Sequence, residues 1–163
     1  MRIEHRFAEL NEVEGRVLTG LALPFEVEGR VGRMRERFAR GSVTTSGDAV
    51  LNRQHQRHLP LAREPETLTF EVTDAGLLMR ATLPETREAD DVLALVTARV
   101  LRGLSVEFVA NREHVAGGVR VIDAAVIRGL AVVDSGAYRT DLSVREGSGV
   151  QGDPGTFPWW MFS

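Results

Sequence analysis

The residues able to do chemistry are a serine set into an alternating segment and four histidines. Ser105 lies in "RGLSVEF" (102–108), where Leu104, Val106 and Phe108 take one face of a strand while Ser105 and Glu107 take the other. The histidines are His5, His55, His58 and His114. A serine hydroxyl attacks a carbonyl when a neighbouring base removes its proton, so an imidazole must come within hydrogen-bond reach, and a third group normally fixes the imidazole tautomer. Spacing alone does not join Ser105 to His55. In "NRQHQRHLPLAR" His55 and His58 stand three apart, but no further ligand accompanies them and the chain has no cysteine, so no metal and no cofactor are expected. "AGG" (116–118) joins two strands and opens no helix, which excludes a phosphate loop. Asp90 and Asp91 belong to a helix N-terminus, where the dipole favours them.

Composition bounds the framework that must hold these groups. A chain of 163 residues, 43% hydrophobic and 26% charged, suits one globular domain. No apolar run approaches the roughly 20 residues of a membrane helix, and "MRIEHRFAEL" lacks the apolar stretch of a signal peptide, so export is not expected. The absence of cysteine excludes disulfides and a thiolate nucleophile. All 20 basic residues are arginine, which excludes a Ser-Lys dyad and a Schiff base. A net charge of −3 gives no general attraction to nucleic acid. "RVGRMRERFAR" (30–40), with five arginines in eleven residues, reads as a solvated loop or short helix in preference to a phosphate-binding patch.

The elements follow from periodicity. "RIEHRFAEL" and "GRVLTGLALPFEV" predict two strands about the turn "NEVEG". "GSVTTSGD" reads as a loop, "AVLNRQH" as a short strand ending at His55, and "TLTFEVT" and "GLLMRATLP" as a hairpin about "DAG". One helix is predicted over Glu88–Arg102, with Val92, Leu93, Leu95, Val96 and Val100 on its apolar face, Arg99 and Arg102 in its last turn, and Gly103 ending it. "LSVEFVA", "VRVIDAA" and "VIRGLAVV" supply three more strands. From Val144 the chain turns Gly- and Pro-rich, then aromatic in "TFPWWMF". Residues 1–143 are therefore expected to form the domain. Residues 144–163 are expected to be a linker with a docking segment anchored by Trp159, Trp160 and Phe162. The element order predicts an α+β domain, or a closed β-barrel with the helix packed on it.

The ordered series of segments resembles the prohead (capsid maturation) serine protease family of tailed bacteriophages and gene transfer agents, related in fold to the herpesvirus assemblins. The resemblance covers about residues 15–143 and rests on "GLALPFE", "RERFARGSV", "LNRQHQRHLPLAR", "VTDAGLLMRATLPET", "RGLSVEF" and "VIRGLAVVDSGAYRT". It implies an antiparallel-rich, assemblin-like closed barrel with no cofactor. His55 becomes the general base and Ser105 the nucleophile, and His58 a solvent-facing loop residue. Three positions depart from the family pattern. Gly129 stands where the third, acidic member is expected, Glu107 stands where a small residue is usual, and Gln56 replaces a common acid. The third member is then Glu107, Asp123 or Asp134, or the site runs as a dyad; Arg139 or backbone N–H groups support an oxyanion.

The function so implied is a serine endopeptidase of phage or gene-transfer-particle capsid maturation, which cleaves scaffold or the N-terminal arm of the capsid protein. The alternative is a catalytically retired protein of the same fold that serves as a structural or docking component. Major capsid protein and scaffold are the expected partners, and a homo-oligomer is compatible; no membrane and no sequence-specific nucleic acid are expected. The expected location is the host bacterial cytoplasm, within or on the procapsid.

Overall fold

Alternation of apolar and polar residues dominates the chain, and it folds almost entirely as strands. The computed structural model describes residues 2–134. In order these form β1 (Glu4–Glu14), β2 (Val17–Pro24), β3 (Gly29–Val31), β4 (Met34–Phe38), β5 (Val43–Arg53), β6 (Gln56–Arg63), β7 (Leu68–Val72), β8 (Gly76–Thr82), α1 (Arg87–Thr97), β9 (Gly103–Ala116) and β10 (Val119–Val133). Arg139, the expected boundary at 143/144, and Trp159, Trp160 and Phe162 lie outside the described residues.

The sheet runs β3-β4-β10-β9-β1-β2-β8-β7, with β5 bonded to β10 and β6. β10 is its centre. One edge pairs antiparallel with β9 over nearly its whole length. The other edge is shared by two parallel strands in succession, β4 against Val119–Ile122 and β5 against Ala125–Val132. β1 divides in the same way: Glu4–Glu9 pair with β9, and beyond them Leu10 and Glu12–Glu14 pair with β2.

The expected closed barrel is not formed. Closure requires every strand to be bonded on both edges. Among the described residues β3 pairs only β4, β6 only β5 and β7 only β8. The sheet bends at β1 and stays open.

The interior is filled from both faces of the bend. Phe38 and Phe108 meet edge to face with centroids 5.1 Å apart, among buried Leu21, Leu51, Leu104, Ile122 and Ile127. α1 adds Ala89, Val92 and Val96. Its first turn is capped by Thr86, whose Oγ1 accepts from the Ala89 N–H at 3.2 Å.

The helix stops a turn before its predicted end. Arg99 takes a left-handed φ of 58°, the Val100 N–H returns to the Leu95 carbonyl at 2.8 Å, and Leu101 swings into the core while Val100 is exposed. The last turn holds no basic residue, and Gly103 begins β9 instead of capping the helix. Burial of Leu101 decides the matter, because continuing the helix gives that side chain no core to enter.

Other boundaries also moved. The arginine-rich stretch forms the β3–β4 hairpin, neither loop nor helix, with Arg35 and Arg37 paired to Glu28 and Glu26 at 2.8 Å and 2.5 Å. "GSVTTSGD" is largely β5, because β10 offers it a parallel backbone ladder. The three predicted C-terminal strands are two long ones of 14 and 15 residues.

Candidate active site

Two hairpins with the same kind of turn show what is special about His55. Between Ala116 and Val119, β9 and β10 are joined by Gly117 (φ 57°) and Gly118 (φ 76°). This is the glycine solution to a two-residue turn whose central residues both need positive φ. Between Arg53 and Gln56, β5 and β6 are joined by Gln54 (φ 52°) and His55 (φ 59°), the same backbone demand met without glycine. Each such residue costs on the order of 1–2 kcal/mol. A strained turn persists where its surroundings hold it. Here the Gln54 N–H donates to the Val132 carbonyl at 2.9 Å, Gln54 Nε2 donates to Asp134 Oδ2 at 3.2 Å, and Arg53 pairs with Glu88 of α1 at 3.0 Å.

From that turn the imidazole reaches across β10 to β9. Strands lie about 4.8 Å apart, so β5 and β9 are separated by roughly twice that. The residues of β10 directly beneath the crossing are Ala131, opposite Ser105, and Gly129, opposite Glu107. Both are small, and they leave room for the ring.

His55 Nε2 lies 2.8 Å from Ser105 Oγ, and His55 Nδ1 lies 2.8 Å from Glu107 Oε1. An ionised carboxylate only accepts, so the Nδ1 proton points to Glu107 and Nε2 is left to accept the Ser105 hydroxyl. Ser105 is fully buried and the His55 and Glu107 side chains are about one-fifth exposed. In such a setting a carboxylate holds the imidazole in one orientation and stabilises the imidazolium that forms when the hydroxyl proton moves. Serine, histidine and acid thus stand in the order that nucleophilic acyl transfer requires.

Of the three acids considered from the sequence, Glu107 is the one bonded to His55 Nδ1 at 2.8 Å. Asp123 sits about 20 Å farther along β10, six residues at 3.3 Å each, where it bonds His114 Nδ1 at 2.5 Å. Asp134 bonds Gln54 and so braces the turn that carries His55. His58 is exposed on β6. Among the described residues no group of three or more His, Asp or Glu side chains is placed to hold a metal ion.

Sequence reasoning missed Gln54, which anchors the turn, and the reason for a glycine at 129. A Cβ built on Gly129 lies 3.1 Å from Glu107 Oε2, 3.4 Å from the Val50 carbonyl oxygen and 3.5 Å from Glu107 Cδ. The glycine where an acid was expected is the space that the Glu107 carboxylate occupies. The signal was cross-strand pairing, hidden by the register shift between Ile127 and Gly129.

Comparison with known proteins bears on the same fold. The structure is similar to that of the capsid assembly protease of bacteriophage T4, with a TM-score of 0.54 and 12% identity, covering 82% of this chain and 96% of that one. The comparison with curated proteins gives no match. The family model described as caudovirus prohead serine protease matches residues 2–149. A match over that span places the molecule: the chain belongs to the caudovirus prohead serine protease family.

Proposed function

We propose that this chain is the maturation endopeptidase of a phage or gene-transfer procapsid, with Ser105 as nucleophile, His55 as general base and then general acid, and Glu107 as the orienting carboxylate. The observation that carries the reading is the His55 ring, bonded through one nitrogen to a buried serine and through the other to an acid. Acylation of Ser105 transfers its proton to Nε2, which passes it to the departing amine; water then releases the acyl group by the same route in reverse. The substrates are scaffold or the N-terminal arm of the capsid protein, and cleavage makes assembly irreversible.

The alternative, a retired enzyme kept for docking, has no need of an oriented imidazole held in a strained turn. Among the described residues no helix is long and apolar enough to cross a membrane. The test is incubation of the purified chain with its own capsid and scaffold proteins, wild type beside Ser105→Ala, with products read by mass spectrometry. Defined cleavage by the wild type alone is the expected result. Identical intact masses in both samples eliminate the reading.

A further inference from the structure

We infer that Gly129 is a positioning residue of this site, and that positions 107 and 129 share one carboxylate slot beside His55 Nδ1 that either strand is able to fill. The inference rests on the hydrolytic reading above. Glu107 and Gly129 are directly opposed across the β9–β10 ladder, so their side-chain vectors leave the same face of the sheet, with Cβ positions about 5 Å apart. A methyl group at 129 falls 3.1 Å from Glu107 Oε2, inside the ordinary contact distance of about 3.5 Å. The Val50 carbonyl oxygen, part of the β5 backbone that pairs with Gly129, stands 3.4 Å from the same methyl. Backbone in a ladder does not yield, so the carboxylate must.

Gly129 has no left-handed φ, so alanine there is conformationally allowed and its effect is local to the carboxylate. The same geometry read in reverse gives the second half of the inference. The Cβ vector at 129 points at the place where the Glu107 carboxylate sits, so a glutamate at 129, with 107 emptied, delivers its own carboxylate there. The acid of this site is therefore not tied to β9. It occupies a position that two facing residues reach and only one fills at a time, which accounts together for the acid at 107 and the glycine at 129.

The test uses the full chain and two readouts. The first is the rate at which a fluorophosphonate labels Ser105 across pH, with Ser105→Ala as the blank. The second is the low-field proton resonance of the His55 Nδ1–H, which reports its hydrogen bond to a carboxylate whether or not Ser105 reacts. Melting curves establish that each variant folds.

Glu107→Gly is expected to slow labelling on the order of 10²–10⁴-fold, and Gly129→Ala, whose methyl presses on Glu107 Oε2 while Oε1 holds His55, is expected to slow it by a smaller factor. The two changes together should lose no more than Glu107→Gly alone. Glu107→Gly should lose the low-field resonance and Gly129→Ala should shift it, and the exchange Glu107→Gly with Gly129→Glu should restore the resonance and bring labelling to within about tenfold of wild type. Wild-type behaviour of Gly129→Ala in both readouts overturns the positioning role. An exchange variant that folds yet matches Glu107→Gly in both readouts overturns the shared slot. If the wild type is never labelled while the resonance is lost and restored as described, the slot stands and the hydrolytic reading is what fails.

Discussion

Two histidine–carboxylate pairs stand at opposite ends of one hairpin. At the His55 end Nδ1 meets Glu107 at 2.8 Å, with both side chains about one-fifth exposed. At the turn end His114 Nδ1 meets Asp123 at 2.5 Å, with the histidine 53% exposed. The bond at the turn end is the shorter, yet the pair is the less consequential, because an ion pair in high dielectric contributes about 0–1 kcal/mol. What separates the two is the second ring nitrogen and the backbone behind it. His55 Nε2 holds a buried serine hydroxyl and the ring projects from a strained turn; among the described residues His114 holds no hydroxyl and lies within β9, with no left-handed φ. A histidine beside an acid is not a site. A third group and a backbone that bears a cost to present the ring set the His55 pair apart.

The largest effects should follow that division. Ser105→Ala and His55→Ala are each expected to lower capsid-protein cleavage by on the order of 10⁴–10⁶-fold, with similar losses because the two act as a unit. His114→Ala should leave the rate unchanged, measured in the same assay. Equal losses from His55→Ala and His114→Ala erase the distinction. Next in size is the acid. Glu107→Gln should cost on the order of 10²–10⁴-fold by releasing the imidazole tautomer, and Asp123→Asn should cost nothing. Single-turnover cleavage by the two variants side by side decides it.

Much of this site was legible before the fold was known, and the limits have physical causes. The period-2 pattern of 104–108 placed Ser105 and Glu107 on one face, and parity along the last strand set Asp134 against Gly129's face. The register runs without a shift from Gly129 to Val133, where β10 ends one residue before Asp134. Upstream it fails: shifts at Ile122/Ala124, Ala124/Ala125 and Ile127/Gly129 break the count, so the place of Asp123 could not be read. The turn at Gln54–His55 was invisible because turn chemistry leads one to look for Asn and Gly, and this turn meets the same backbone demand with neither. The open sheet was missed because closure depends on the edges of β3, β6 and β7, and strand edges leave no mark in side-chain alternation. The helix end was missed because Arg99, Arg102 and Gly103 mimic a C-terminus, whereas burial of Leu101 set the true one.

A second comparison concerns the charged network beneath the same strands, which should govern stability and leave chemistry alone. Glu36 is 2% exposed. It accepts from Arg6 Nε and Nη2 at 2.5 Å and 2.7 Å and from Arg120 Nη1 at 2.8 Å, while the Arg6 guanidinium lies over the Phe108 ring at 5.1 Å. Glu36→Gln takes a carboxylate from both guanidiniums, which keep their bonds to Glu4, and breaking a buried pair is strongly destabilising. Glu36→Gln should therefore lower unfolding free energy by about 3 kcal/mol, read from urea midpoints at neutral pH, while fluorophosphonate labelling of the folded fraction stays at the wild-type rate. A parallel fall in labelling couples the two regions and breaks the comparison.

The smallest effect lies at the rim of that network, in Glu4. Its carboxylate bonds Arg120 at 2.7 Å and 2.8 Å and Arg6 at 2.9 Å. The Arg120 hydrogen bond is the main cause that lowers its pKa from 4.5 to about 2, against the opposing effect of burial. Arg120 is raised in turn, first through its bond to Glu4. A depressed carboxylate pKa means that the folded state releases this proton more readily than the unfolded chain does. The contribution is therefore fully present above pH 4.5 and is lost as pH falls toward about 2. Glu4→Gln should be less stable than wild type at neutral pH, with a gap that holds down to about pH 4.5 and closes as pH approaches 2. Urea midpoints of the two proteins across that window test it. A gap that persists undiminished at pH 2 would assign the loss to packing around Glu4, and the Arg120 bond would then not be the source of its stability.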